Sequence, residues 1–311
     1  MKRALATGRL AHAYLFVGPD GVGKRTVAWE MAKAIQCETQ GEDACEGCRA
    51  CGKVRAAVHP DVVMVEPDGR QILVGQIRAL QQQMMYRPLE GPKRVVIIDQ
   101  AHDLNAQAAN ALLKILEEPP QGNLLVLVAR SESSVLPTVV SRCQRLYFAP
   151  LETPDVQRFL REREGWEESR AAKVASQCHG SIGRAFQLRD LPVEQWMAEA
   201  AEVLAQAPKL RVWELLETAR AWSGSRQEAF HRIEALRGIV RDQVTGSIRN
   251  DGSPEAHSPM HRRLEALLGI WEMAGEVLEA LERNLNPQLL MEDLMVRMAG
   301  RLGGIEAGRR A

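Results

Sequence analysis

A glycine-rich turn near the N-terminus, followed by a lysine, constrains the fold of this chain more than any other segment. The turn covers residues 18–26 and has the sequence GPDGVGKRT. A short apolar run before it, Ala13 to Val17, predicts a strand, and the residues after it, Val27 to Ile35, predict a helix. This is the layout of a phosphate-binding loop, in which backbone N–H groups and the helix N-terminus attract an anion.

The residue after the lysine departs from the usual form of this loop, G-x-x-x-x-G-K-[ST]. Arg25 takes the position of the hydroxyl residue, and a hydroxyl appears only at Thr26. That hydroxyl normally ligates Mg²⁺, which requires near-octahedral oxygen ligands, and the next residue of a helix points about 100° away. We therefore expect a degenerate site in which phosphate binding persists and Mg²⁺ binding is impaired; a glycine turn with an exposed lysine is the alternative. The residues expected to form the site are Gly18, Gly21, Gly23, Lys24, Thr26 and Asp99.

The carboxylate of this set follows a clearly predicted strand. Val95 to Ile98 is a β-branched run typical of a buried parallel strand, and Asp99 comes directly after it. An acid at this position holds Mg²⁺ in nucleoside triphosphatases; the alternative is that it only caps the next helix. The following residue is Gln100, whose amide cannot act as a general base toward water.

Strand and helix patterns alternate as far as residue 150, and only helical patterns follow. The alternation is typical of a parallel sheet covered by helices on both faces. Further strands are predicted at 61–67, 124–128 and 146–148, and further helices at 76–85 and 105–118. The expected divisions are an α/β domain over 1–150, short helices over 151–191 and a helical domain over 192–311, with a flexible connection at 250–254 and a frayed tail at 307–310.

Four cysteines between residues 37 and 51 have the spacing of a metal site. A Cys₄ zinc centre needs four thiolates around one ion, so the chain must turn back on itself, and three glycines in and beside this segment supply the bends. We expect structural zinc, with an iron–sulfur cluster as the alternative. The predicted ligands are Cys37, Cys45, Cys48 and Cys51. The other two cysteines, Cys143 and Cys178, are expected to pack as small apolar side chains.

The overall charge does not indicate a nucleic-acid partner. Lys and Arg together number 40, as do Asp and Glu, so the formal net charge is zero. The sequence has no apolar run of about 18 residues that could span a membrane and no secretory signal pattern. The grouped cysteines favour a reducing cytoplasm over a disulfide framework. The chain reaches its first strand early, so we expect an N-terminal segment typical of nucleotide-binding domains to be absent.

Several segments together resemble subunits of the bacterial DNA polymerase III clamp loader, which belong to the AAA+ family. They are RLAHAYLF at 9–16 leading into the loop, the cysteine insertion, 95–99, NALLKILEEPP at 110–120, LPT at 136–138 and SRC at 141–143, with a weaker likeness at 281–286 and Leu289. The resemblance implies a AAA+ domain, a small helical lid and a helical collar through which subunits assemble.

Clamp loaders contain ATP-hydrolysing motor subunits of the gamma/tau type and a rigid stator subunit with a degenerate site. Four departures from the motor pattern favour the stator here. Arg25 replaces the Mg²⁺ hydroxyl and Gln100 the catalytic glutamate; Ala129 and Arg130 replace the polar sensor that follows the next strand, and Gly183 stands where a motor has arginine. We expect no intrinsic ATPase and weak or absent binding of ATP or ADP.

The resemblance also implies a role for Arg142, in the SRC segment. It would act as an arginine finger at the ATP site of a neighbouring subunit; by spacing alone it would be a solvated surface arginine. The implied partners are gamma/tau and delta subunits, with the sliding clamp and primer–template DNA reached through the assembled complex. The alternatives are a gamma/tau-type motor in which Thr26 supplies the missing hydroxyl, and an unrelated zinc-containing nucleic-acid binder.

Overall fold

The computed structural model describes residues 9–39, 41, 43–251 and 259–307. Three predictions fall outside the described residues: the one on the N-terminal segment, the one on residues 252–254 of the flexible connection, and the one on residues 308–310 of the tail. The described part divides into two compact units, one formed by residues up to 156 with 179–186, the other by 157–178 with residues from 187 onward. The expected three-domain division stays a prediction.

The first unit is built on a five-stranded parallel sheet with the order β2-β3-β4-β1-β5. The strands are β1 Ala13–Val17, β2 Val62–Val65, β3 Arg94–Ile98, β4 Asn123–Ala129 and β5 Gln144–Tyr147. β1 has the predicted bounds, and the bounds of the other strands lie within two residues of the predicted ones. Because all strands run in one direction, their carboxyl ends lie at the same edge.

Helices cover both faces of the sheet, as predicted. The helices of this part are α1 Lys24–Gln36, α2 Arg49–Arg55, α3 Val74–Met84, α4 Ala106–Glu117 and α5 Pro137–Val140. Neighbouring side chains of a strand point to opposite faces, so Leu15 joins the core with Ile77 and Leu112, while Phe16 joins the core with Met31. Burial on both faces explains why the central strands are continuously apolar.

Among the described residues, only helices and short turns follow the sheet, which confirms the predicted α/β fold with a helical C-terminal region. These helices are α6 Thr153–Glu162, α7 Glu168–Gln177, α8 Ile182–Gln187, α9 Val193–Gln206, α10 Val212–Trp222, α11 Arg226–Asp251, α12 Pro259–Glu282 and α13 Pro287–Ala307. The second unit has its own core, centred on Trp196, Leu236, Ile270 and Leu294. No helix within the described ranges combines the length and the apolar character needed to cross a membrane.

Candidate functional site: a phosphate loop and a cysteine cluster

The glycine-rich loop lies at the carboxyl edge of the sheet, between β1 and the first residue of α1. Its shape depends on glycine. A Cβ at Gly18 would lie 2.2 Å from the carbonyl oxygen of Phe148, and Gly21 and Gly23 have φ of 71° and 94°, a region that side chains rarely adopt. The first N–H groups of α1 have no acceptor within the helix, so the loop presents donors and partial positive charge to an anion.

Lys24 is buried, and its ammonium turns toward the loop. Its Nζ donates to the carbonyl oxygens of Gly18 and Pro19, both at 2.6 Å, and lies 3.9 Å from the carboxylate of Asp20. Burial lowers the pKa of Lys24, although the carboxylates of Asp20 and Asp99 act in the opposite direction. The predicted lysine is therefore in place beside the glycines, with its charge held inside the loop.

Arg25 bridges two carboxylates at the ends of neighbouring strands. Its Nη1 donates to Glu66, which follows β2, and to Oδ2 of Asp99, which follows β3, at 3.1 Å. Oδ1 of Asp99 accepts from the backbone N–H of Gln100 at 3.0 Å. A Mg²⁺ site requires oxygen ligands around a small ion, and here a guanidinium, which only donates, stands between the carboxylates. The residues present do not fit Mg²⁺.

The residues after α7 close the loop from another side. The backbone N–H of Gly183 donates to the carbonyl oxygen of Gly21 at 2.9 Å. A Cβ at Gly183 would lie 2.9 Å from the Cα of Gly21, and a Cβ at Gly21 would lie 2.3 Å from Oγ of Ser181. This close approach of two backbones is a physical reason for glycine at position 183, where a motor subunit has arginine.

The loop and these neighbours enclose a cavity of about 470 Å³, within the usual range for small-ligand sites. Five of the six predicted nucleotide-site residues line it, together with Gln100, Ala129, Arg130, Ile182 and Phe186. The exception is Gly18, which is not among the lining residues. The cavity therefore suits a ligand that has a phosphate and an apolar group beside it. Gln100, which follows Asp99, lies in the cavity wall at the position where an ATPase would have a general base.

Two contacts at this site were missed from the sequence. Glu66 directly follows β2, at the same edge of the sheet as Asp99, so the predicted strand pattern gave a signal for its position. The pair between Arg130 and Asp20, at 2.7 Å, joins β4 to the loop and carries no comparable signal in the sequence.

Arg142 lies away from this cavity and is not among its lining residues. It follows the short helix α5, and its guanidinium donates to Oε1 of Glu117 at 2.7 Å and to the carbonyl oxygen of Thr138 at 2.9 Å. Its side chain is 35% exposed. The structure thus pairs the predicted finger with a carboxylate of its own chain, at the surface.

The four predicted metal ligands come together. The sulfur atoms of Cys37, Cys45, Cys48 and Cys51 all lie within 4.8 Å of one another, compared with about 3.8 Å in a regular Cys₄ zinc tetrahedron with Zn–S near 2.3 Å. Backbone N–H groups of three of these cysteines donate to a preceding cysteine sulfur at 3.4 Å each. Hydrogen bonds of this kind stabilise thiolates, so the donor set fits a soft divalent ion.

The cluster is attached to the phosphate-loop helix. Cys37 follows the last residue of α1, and Cys51 is buried within α2, a helix that the sequence patterns did not predict. Burial raises the pKa of Cys37, but hydrogen bonds from Thr39 and Cys45 outweigh it and lower the value to about 6. Cys143 and Cys178 lie outside the cluster; Cys178 is fully buried, and burial raises the pKa of Cys143 to about 12, as expected of packed thiols.

Comparison with known proteins gives a consistent result. A family model described as "DNA polymerase III, delta subunit" matches residues 1–152. The DNA polymerase III subunit delta' of Bacillus subtilis (strain 168) is 31% identical over 310 residues, covering 93% of this chain and 91% of that protein. The delta' subunit of Pseudomonas aeruginosa is 40% identical over 136 residues, 43% of this chain and 42% of that protein.

Further matches carry the names of tau and gamma subunits of DNA polymerase III. The tau subunit of Escherichia coli (strain K12) is 31% identical over 252 residues, which are 77% of this chain but 39% of that protein. A solved structure of a gamma subunit-related protein from Thermotoga maritima matches with a TM-score of 0.46 and 19% identity, covering 96% of this chain and 97% of that chain. The resemblance found in the motifs is confirmed by the delta' match along nearly the full length of both proteins, and this chain belongs to the DNA polymerase III delta' family.

Proposed function

We propose that this chain is the stator subunit of the DNA polymerase III clamp loader and that it supplies Arg142 in trans to a neighbouring ATPase subunit. The observation that carries the proposal is the guanidinium of Arg25 between Glu66 and Asp99, because a subunit that cannot place Mg²⁺ beside its own phosphate loop is unsuited to hydrolysis. Under this proposal the chain contributes to hydrolysis at the ATP site of another subunit.

The position of Arg142 supports this role. It is partly exposed and lies away from the chain's own cavity, so its guanidinium is available to a neighbour once it leaves Glu117. The ion pair with Glu117 is partly exposed, and such surface pairs contribute little free energy, so releasing the guanidinium costs little. At the neighbour, the guanidinium stabilises charge on the transferring γ-phosphoryl group, an effect of about 10³–10⁵ in rate for such fingers.

The test is the ATPase of a complex reconstituted with motor and delta subunits and stimulated by clamp and primed DNA. We expect Arg142→Ala to lower turnover by about 10³-fold or more while gel filtration shows an intact complex. Arg145→Ala is the matched control, because Arg145 is also an exposed arginine paired with a glutamate, Glu132, at 3.3 Å. Unchanged turnover in the Arg142 variant, or an equal loss in both variants, contradicts the proposal.

We extend the proposal to the partners and to the domain roles. The direct partners are gamma/tau and delta subunits. The assembled complex, in the cytoplasm, binds the clamp and primed DNA. Residues 1–150, 151–191 and 192–311 would serve as AAA+ domain, lid and collar. Exposed apolar side chains on helices of the last segment, Trp213 on α10 and Leu289 on α13, support its use for assembly.

We further propose that the cysteine cluster binds one structural Zn²⁺ per chain. The thiol geometry supports it, and four thiol ligands complete a tetrahedral shell, so the ion has no open position for catalysis. Elemental analysis is expected to find one zinc in the wild type and less in a Cys45→Ser, Cys48→Ser variant, which should also melt at a lower temperature. Cys143→Ser, outside the cluster, should keep the metal. A chain without zinc, or with iron and sulfide, contradicts the assignment.

A further inference from the structure

We propose that Arg25 is a resident cation in place of the divalent metal, so that the cavity binds a nucleoside diphosphate in its metal-free form. The inference concerns the chain's own cavity and stands apart from the role of Arg142.

The charges around Arg25 favour a resident cation at this position. Glu66 and Asp99 end neighbouring strands and converge on one atom, Nη1 of Arg25. Without a cation they would repel each other, and the side chain of Asp99 is only 11% exposed, so water screens it poorly. A guanidinium stays charged at every physiological pH. The position between the carboxylates is therefore filled by a permanent positive charge supplied by the chain itself.

The guanidinium of Arg25 has more donors than its two carboxylate partners use. Both described bonds of Arg25 use Nη1, whereas a guanidinium carries five N–H donors. Its side chain is 54% exposed and lines the same cavity as the glycines and Lys24. The donors that the carboxylates do not use can bind phosphate oxygens, for which the planar guanidinium is well suited. Arg25 can thus join phosphate and carboxylates, as a bridging metal would.

The charges and apolar side chains that line the cavity favour a nucleoside diphosphate. The cavity is lined by three cationic side chains, Lys24, Arg25 and Arg130, and by two carboxylates, Asp20 and Asp99. A third carboxylate, Glu66, lies outside the lining and pairs with Arg25. A monovalent guanidinium supplies less charge than Mg²⁺, so a diphosphate suits this balance better than the more highly charged triphosphate. Ile182 and Phe186 line the same space and offer apolar contact to a base.

The test is calorimetric titration of ADP into the full chain, with Mg²⁺ and with EDTA. In the wild type we expect the dissociation constant to change less than about threefold between the two buffers. In Arg25→Thr we expect about tenfold weaker binding in EDTA and recovery in Mg²⁺, since a hydroxyl and two freed carboxylates now form a cation site.

Two further variants and a second readout make the result decisive. Arg25→Lys should keep metal-independent binding, and Arg78→Thr, at an exposed arginine on α3, should behave as wild type. Electron paramagnetic resonance with Mn²⁺ and ADP should detect a bound ion in Arg25→Thr and none in the wild type, with thermal melts verifying that each variant folds. The proposal is overturned if wild-type binding needs Mg²⁺, if the wild type binds no ADP in either buffer, or if Arg25→Thr gains no metal dependence.

Discussion

Asp61 is a carboxylate at zero exposure, and it orders the connection between α3 and β3. It accepts backbone N–H groups of Leu89, Glu90 and Gly91 at 2.7, 2.7 and 2.9 Å, and Arg94 lies 3.6 Å away. Three donors from successive residues fix a loop that has no regular structure of its own. An ionised oxygen acceptor is needed, because a protonated or amide group would present hydrogens to some of these donors.

We predict that Asp61→Asn lowers the free energy of unfolding by about 1–3 kcal/mol near neutral pH, because donors are left unsatisfied. Burial alone would raise the pKa of Asp61, but the backbone N–H groups and Arg94 outweigh it and lower the pKa. A lowered folded-state pKa gives stability that is present above the ordinary carboxyl value, about 3.9, and is lost as pH falls through the folded value.

The measurement is urea unfolding of both proteins across this pH range. The difference between wild type and Asp61→Asn should shrink below about pH 4. Asp68→Asn, at an exposed carboxylate on the same unit, is the control and should change little. A difference that stays constant down to the acid limit would show that the carboxylate charge is not responsible.

At the scale of elements, the contact between the loop and the start of α8 depends on two glycines. Gly183 meets the backbone of Gly21 too closely for a side chain. We predict that Gly183→Ala costs about 1–3 kcal/mol, as overpacking does, and speeds hydrogen exchange of the amides in residues 18–24. A clash with backbone cannot be relieved by a rotamer change.

A second glycine provides the matched control. Gly75 lies in α3, and a Cβ there would meet no atom within 4 Å, so Gly75→Ala should stabilise the protein by about 0.5–1 kcal/mol through helix propensity. If both substitutions have the same effect, general backbone flexibility rather than the contact decides the result.

The cysteine module is also attached to an element rather than to a loop alone. Nζ of Lys33, on α1, lies 2.6 Å from a carboxylate oxygen of Glu46, and Arg55 on α2 lies 2.6 Å from the other. Glu46 sits in the turn between the cysteines and has a φ of 61°. The module is therefore tied to α1 and α2 independently of any metal.

Elements with strong local patterns were predictable from the sequence. β1 and the apolar strand before Asp99 were found because a strand buried on both faces needs a continuous apolar run. α2 was missed, since it has only seven residues and is capped by a cysteine sulfur, Cys48, instead of an oxygen. The cysteine cluster was predicted correctly because its four cysteines lie close together in the sequence, so their spacing alone indicated a shared site.

The pairing of Arg25 with two carboxylates and the contact of Gly183 were not predictable, although the strand pattern placed both carboxylates at one edge of the sheet. Replacing a hydroxyl by Arg25 indicated that Mg²⁺ binding was impaired, but only the strand order brings Glu66 and Asp99 to the same guanidinium. The sequence showed that Gly183 departs from the motor pattern. The reason for a glycine there is the backbone of Gly21, which lies about 160 residues earlier in the sequence. Contacts of this kind depend on tertiary structure, which no window of the sequence contains.

At the scale of the whole molecule, the stator and motor interpretations differ in a simple assay. We predict that the isolated chain hydrolyses ATP no faster than its Lys24→Ala variant. Arg25 stands between the carboxylates that would hold Mg²⁺, and Gln100, after Asp99, carries an amide that cannot act as a general base. Phosphate release measured with excess ATP and Mg²⁺ tests this. Turnover that depends on Lys24 would favour the motor interpretation.

The contact between Gly21 and Gly183 also limits which substitutions this site can accept. An arginine introduced at position 183 would meet the backbone of the loop, and a hydroxyl introduced at position 25 would still leave Gln100 beside it. No single substitution restores the motor arrangement, and a first step toward it at position 183 carries a folding cost. The close approach of these two backbones therefore opposes a side chain at position 183, whatever residues stand at positions 25 and 100.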